Sequence, residues 1–76
     1  ERFRHTPLWR ARRRGILRNA AIVLGNQRSS AAVPALIRAL NDTEPLIRAA
    51  CAWALHQIGG PAAAVALAAR RAAETD

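Results

Sequence analysis

"LIRAACAWALHQIGG", residues 46–60, decides the fold class of this 76-residue chain. Its apolar residues recur every three or four positions, the spacing that places side chains on one face of an α-helix. The two glycines at its end adopt the backbone conformations that end helices, and Pro61 is expected to begin the next helix. The expected buried face consists of Leu46, Ile47, Ala50, Cys51, Ala54, Leu55 and Ile58.

The N-terminal half shows the same helical period, and no segment of the chain alternates with the period of a β-strand. Thr6-Pro7 predicts the cap and first residue of a short helix over roughly residues 7–13. A second helix is expected over residues 16–24, and Gly25 is expected to end it because glycine accepts the left-handed conformation found at helix ends.

Three further helices complete an all-α chain of about five helices. Ser30 is expected to cap the third helix, which ends near Leu40, and Asp42 or Thr43 to cap the fourth. The last helix is rich in alanine and is expected to fray after Arg71.

The helices also form a loose internal repeat. "LRNAAIVLGN" recurs as "IRAACAWALHQIGG", so that Arg18 and Arg48 lie 30 residues apart. Two helices per repeat of this length are typical of an α-solenoid. We expect one domain over 1–76, with a basic lead-in at 1–15 and helix pairs at 16–40 and 44–73.

Basic residues are concentrated near the N-terminus. All twelve cationic residues are arginines, against five acids, and seven of them lie in the first eighteen positions. A cluster of this kind predicts an anionic partner, with nucleic acid as the leading candidate. Arginine and alanine usage also follows from a GC-rich genome, so composition is the alternative explanation.

Six residues are the candidate RNA contacts. A guanidinium always carries its charge and binds phosphate through two parallel hydrogen bonds. Residues one turn apart can follow a phosphate backbone, so a bend near Gly15 is expected if all the arginines touch one ligand. The alternatives are a solvated basic face or docking to another domain. The candidates are Arg10, Arg12, Arg13, Arg14, Arg18 and Asn19.

No combination of residues for catalysis or metal binding is present in the sequence. Cys51 is the only cysteine, so it can form neither an internal disulfide nor a metal cluster, and a chain without disulfides fits a reducing, cytosolic compartment. Trp9 and Trp53 could stack on bases but are expected to pack in the core. No segment is long and apolar enough for a membrane span.

Three stretches of the sequence resemble known protein families. "AAVPALIRAL" (31–40) and "DTEPLIRAACAWALHQIGG" (42–60) resemble right-handed HEAT-like repeats of the phycobilisome-lyase type, and Asp42 and Arg48 occupy that pattern's acidic and arginine positions as a structural pair. "FRHTPLWRARRRGILRNAAIVLGN" (3–26) is similar to the start of the C-terminal HEAT-like domain of bacterial epoxyqueuosine reductases.

The resemblance implies a parent enzyme that reduces epoxyqueuosine to queuosine at the wobble base of certain tRNAs. That family uses cobalamin and two [4Fe–4S] clusters, and its repeat domain helps to hold the tRNA. This chain lacks the cysteine motifs of the clusters, so we expect a non-catalytic, cofactor-free, cytoplasmic piece of a longer protein.

The expected partners are the anticodon stem-loop of tRNA and the catalytic domain that precedes this segment in the family. The alternative function is a protein-interaction or capping solenoid that docks onto that catalytic domain. Solenoids of fewer than about three repeats expose apolar end faces, so weak self-association is also expected.

Overall fold

Residues 7–73 are described by a computed structural model, and all of the regular secondary structure within them is helical. The predicted all-α fold class is confirmed, although these residues form four α-helices rather than five. None of these helices has both the length and the apolar character to cross a membrane. The helices are α1 (Pro7–Gln27), α2 (Val33–Ala39), α3 (Pro45–Ile58) and α4 (Pro61–Ala73), and a 3-10 turn at Ser30–Ala32 precedes α2.

The first helix is continuous where a short helix and a bend near Gly15 were expected. A glycine inside a helix costs only about 1 kcal/mol relative to alanine, too little to break a 21-residue helix that packs along α3. From residue 7 onward, the expected lead-in at 1–15 is therefore part of α1 and not a separate segment. The predicted Thr6 cap lies outside the described residues.

The expected helix end at Gly25 is also wrong, because α1 continues to Gln27. Arg28 takes the left-handed conformation instead, with a φ of 52°. Its N–H donates to the carbonyl of Gly25 at 3.1 Å, and the Ser29 N–H donates to the carbonyl of Leu24 at 3.1 Å. This pair of bonds is the Schellman pattern, which satisfies carbonyls left over at a helix end.

The caps of the next two helices differ from the expected residues. Ser30 begins the 3-10 turn, and Ala32 occupies the N-cap position of α2. At α3 the N-cap position is Glu44, without a side-chain cap bond. Neither N-cap residue thus makes the side-chain cap bond that was expected, although the Asp42 carboxylate accepts the Glu44 N–H in the turn before α3.

The end of α3 follows the prediction, since Gly59 and Gly60 both have positive φ and Pro61 begins α4. The last helix remains regular to Ala73, two residues beyond the expected fraying point. These boundaries were predictable because the backbone chemistry of glycine and proline specifies them locally.

Helix α3 is the centre of the fold, because it contacts each of the other three helices. It also supplies half of the buried core, including Ile47 and Leu55, which are its largest fully buried side chains. Leu46 is exposed, in contrast to the expected face, whereas Ala50 and Ile58 pack against the core from its edge. The buried residues are Ala21, Leu36, Leu40, Ile47, Cys51, Ala54, Leu55 and Ala63.

Helices α1 and α3 run parallel. Early in α1, Arg13 reaches Asp42 just before α3 begins, and late in α1, Gly25 meets Trp53 and Ala54. Parallel first helices are what two stacked helix-pair repeats require. The two pairs, α1 with α2 and α3 with α4, therefore stack in the manner of a solenoid.

Gly25 is needed for the close approach of α1 to α3. A Cβ atom at this position would lie 2.6 Å from the ring of Trp53 and 2.9 Å from the Cα of Ala54. The second contact is with a main-chain atom, which cannot move away by changing rotamer as a side chain can. This glycine therefore sets the distance between the two helices.

We predict that Gly25→Ala lowers the free energy of unfolding by about 1–2 kcal/mol, since overpacking outweighs the gain in helix propensity. Gly15→Ala is the matched control in the same helix, because a Cβ there meets nothing within 4 Å. The control should raise stability by about 0.5–1 kcal/mol. Urea denaturation measures both, and equal stabilisation by the two changes would contradict the close contact.

Candidate nucleic-acid interface

Asp42 connects α1 to the turn that leads into α3. Arg13 donates to its carboxylate from Nη2 to Oδ2 at 2.6 Å and from Nη1 to Oδ1 at 3.4 Å. The Glu44 N–H donates to Oδ1 at 2.9 Å. The carboxylate thus binds a helix 29 residues away and its own turn at the same time.

Arg48 was expected to pair with the carboxylate of Asp42, and the structure places it differently. Its Nη1 donates to the main-chain oxygen of Asp42 at 2.8 Å and to that of Thr43 at 3.2 Å. The carboxylate is directed at Arg13, while Arg48 reaches back to carbonyls of the turn before its own helix. Arg48 therefore stabilises this turn, because its side chain binds main-chain oxygens of the turn.

The ion pair between Arg13 and Asp42 shifts the titration of both groups. The hydrogen bond from Arg13, and then the one from the Glu44 N–H, lowers the pKa of Asp42. The hydrogen bond to Asp42 raises the pKa of Arg13 against the opposing effect of burial. Because the folded pKa of Asp42 lies below its unfolded value, the pair adds stability above that unfolded pKa of about 4.

We predict that the free energy of unfolding falls as the pH drops from about 4 through the lower folded pKa of Asp42. Asp42→Asn should remove much of this dependence and should cost about 1 kcal/mol at pH 7, because the Arg13 side chain is 39% exposed and partly screened. Glu44→Gln is the control. Denaturation curves from pH 2 to 7 measure this, and an unchanged slope in Asp42→Asn would refute the assignment.

Arg14 also has an acidic partner, because its Nη1 lies 3.6 Å from Oε1 of Glu44. Two of the predicted RNA contacts, Arg13 and Arg14, are therefore already paired with acids at the start of α3. An arginine in this position must exchange one anion for another to bind phosphate. Its charge is partly neutralised before any ligand arrives.

The other predicted arginines keep their charge available. Arg10 and Arg12 are exposed and make no hydrogen bond or ion pair with any of residues 7–73. Arg18 is exposed and donates from Nη1 to Oδ1 of its neighbour Asn19 at 3.4 Å. A neutral amide partner leaves the full positive charge of Arg18 in place.

The six predicted residues do not share one surface. Because α1 is a single continuous helix, Arg10, Arg14 and Arg18 form one row with a spacing of one turn. This row borders α3, since Arg18 shares a shallow groove with Leu46 and Trp53. Helical spacing places Arg12 and Asn19 on the other side of α1, and Arg13 between the two sides.

A second basic cluster lies where the sequence pattern gives no sign of one. Arg70 and Arg71, near the end of α4, line a groove together with Arg48 and Trp53 of α3. The cluster exists because α4 folds back along α3, which brings its last turns to the start of α3. Only the antiparallel arrangement of the two helices, not residue spacing, could have revealed it.

The described residues include no candidate metal site. No three His, Cys, Asp or Glu side chains of residues 7–73 come together in a way that could hold a metal ion. Cys51 is buried in the core, and that burial raises the pKa of its thiol, which keeps it protonated. These residues do not fit an iron–sulfur cluster, which requires several cysteine thiolates.

A family model of HEAT repeats matches residues 8–76. The chain belongs to the HEAT-repeat family. The predicted resemblance is confirmed at this level, and the bond between Arg13 and Asp42 joins the first helix of one repeat to the turn that opens the next.

Two relatives are epoxyqueuosine reductases. The chain is 47% identical over 53 residues to that of Listeria monocytogenes serovar 1/2a, which covers 68% of this chain and 14% of the relative. It is 38% identical over 64 residues to that of Bacillus subtilis strain 168, which covers 82% of this chain and 16% of the relative.

A third relative is an uncharacterized protein in the gldA 3′ region of Geobacillus stearothermophilus, 39% identical over 61 residues, which covers 78% of this chain and 28% of the relative. The chain therefore spans less than a third of the length of each of these relatives. No solved structure gives a significant match.

Proposed function

We propose that this chain is a non-catalytic C-terminal HEAT-like module that helps to hold tRNA for an enzyme resembling epoxyqueuosine reductase. The observation that carries the proposal is the row on α1, where Arg10 and Arg18 project beside α3 with no acid bound to them among residues 7–73. The similarity to part of two reductases supports the choice of RNA as the anion.

The chemistry of the row suits a phosphate backbone. Arg10 and Arg18 are two turns apart, with the partly neutralised Arg14 between them. A formal net charge of +7 draws RNA toward the surface, and each guanidinium can then clamp one phosphate through two hydrogen bonds. In this proposal the anticodon stem-loop is the part of tRNA that is held, in the cytoplasm.

The reaction itself is assigned to the rest of the longer protein. In this proposal the rest of that protein also holds the cobalamin and two [4Fe–4S] clusters that the resemblance implies, which agrees with the absence of a group of three metal-ligating side chains among residues 7–73. The contribution of this chain is to bind and orient the RNA, which lowers the cost of bringing the wobble base to a distant catalytic centre.

We predict that the double change Arg10→Gln with Arg18→Gln weakens binding to a labelled anticodon stem-loop and lowers the salt slope by about two units, since each neutralised phosphate contributes about one. Fluorescence anisotropy at several salt concentrations measures both quantities. The charge-matched control is Arg28→Gln with Arg38→Gln, since both are exposed and unpaired within residues 7–73. An equal loss of affinity in the control would show that RNA binds only by non-specific attraction to positive charge.

A second candidate function is docking to another protein surface through the outer side of α1. Ile16 and Val23 are 57% and 50% exposed and lie two turns apart, and Trp9 continues their row. Arg12 and Asn19 lie beside this apolar row, so we assign them to docking rather than to the RNA row. The preceding catalytic domain of the parent enzyme is the proposed occupant, and self-association of the chain would use the same side.

We predict that Ile16→Ser with Val23→Ser reduces self-association of the chain, because it removes exposed apolar area from the outer side of α1. Stability should change by no more than about 0.5 kcal/mol, since both side chains are already in solvent. Affinity for RNA should not change either. Sedimentation equilibrium and anisotropy measure these effects, and a loss of RNA affinity would contradict the separation of the two sides.

A further inference from the structure

A groove of about 550 Å³ lies between α3 and α4. Arg48, Trp53 and His56 line it from α3, and Leu67, Arg70 and Arg71 line it from α4. No carboxylate is among the described side chains that line it. Its size is that of a pocket for a small molecule or a nucleotide.

The charge of the groove favours an anion. Arg71 is exposed and makes no hydrogen bond or ion pair with any of residues 7–73. Arg48 is held in place by two main-chain oxygens through Nη1, while its Nη2 makes no hydrogen bond within the described residues. An arginine fixed in this way loses little freedom on binding a phosphate, so the site is partly organised in advance.

Trp53 adds an aromatic surface to this charge. One edge of its ring packs against Gly25, yet the side chain is 39% exposed and lines the groove. An exposed indole that is held by one edge can stack on a base. Phosphate-binding arginines around a stacking surface match the chemistry of a nucleotide.

Trp53 also connects the groove to the proposed RNA row. Together with Ala49, it lines the smaller groove between α1 and α3 that contains Arg18. A strand lying along the row on α1 would thus pass directly over Trp53 before it reaches Arg48 and Arg71. The two basic clusters form one path across the face of α3.

We propose that the groove between α3 and α4 holds a single-stranded nucleotide segment, with a base stacked on Trp53 and phosphate bound by Arg48 and Arg71 beside Arg70. This inference rests on the proposed RNA-binding function and adds to it a contact that lies outside α1. The occupant is unpaired RNA because a base within a duplex cannot present its face to a side chain.

Trp9→Phe leaves Trp53 as the single tryptophan of the full chain, so its fluorescence reports stacking directly. Titration with a seven-nucleotide single-stranded RNA should quench this fluorescence saturably, and a blunt RNA duplex of equal charge should quench it far less. Equal quenching by both, or none by the single strand, would overturn the proposal. Quenching by polyglutamate to the same extent would make the groove a site for acidic protein and would overturn it as well.

The arginines are tested by Arg70→Gln with Arg71→Gln, compared with the charge-matched pair Arg28→Gln and Arg38→Gln. We expect affinity for the single strand to fall roughly tenfold and the salt slope to fall by about 0.7 for each phosphate that is no longer neutralised. Equal effects in the two pairs would overturn the groove assignment. If only Arg10→Gln with Arg18→Gln weakens binding, the assignment of RNA to the groove is overturned while the proposed function stands. If the unaltered chain binds no RNA at moderate salt, both fail.

Discussion

The carboxylate of Asp42 is the contact on which the arrangement of the helices depends. It accepts hydrogen bonds from Arg13 of α1 and from the Glu44 N–H at the start of α3, and only 12% of its side chain is exposed. Interactions of a shielded carboxylate are screened less than those of an open surface pair. With the close approach at Gly25, it fixes α1 along α3 at two points, near Arg13 and near the end of α1.

Fixing α1 in this way also decides what each of its arginines can do. Arg13 and Arg14 face acids at the start of α3 and hold the repeats together. Arg10 and Arg18 emerge beside them with their charge intact, and Arg12 emerges on the outer side near Ile16. A single run of basic residues is thus divided between stability, the proposed RNA contact and the proposed docking side.

Local signals explain which parts of the fold could be predicted. The helical period and the sequence Gly59-Gly60-Pro61 fix α3, its end and the start of α4, because each effect acts within a few residues. Gly25 was wrongly predicted as a helix end because its reason is tertiary, the approach of Ala54 and Trp53. The sequence alone does not distinguish a glycine that ends a helix from one that allows a neighbouring helix to pack closely.

The site was predictable only as far as spacing along one helix reaches. The row of Arg10, Arg14 and Arg18 follows from a spacing of one turn. The pairing of Arg13 with Asp42 joins residues 29 positions apart, and the groove at Arg71 requires α4 to fold back on α3. Neither leaves a pattern within a single helix, so both needed the tertiary structure.

The division of the arginines is tested most directly by NMR of their side-chain Nε–H groups during titration with an anticodon stem-loop. We expect the signals of Arg10 and Arg18 to shift with added RNA while that of Arg13 stays in place, because its guanidinium remains bound to Asp42. A shift of the Arg13 signal as large as that of Arg10 would show that the ion pair opens for RNA. That result would contradict the assignment of Arg13 to holding the repeats together.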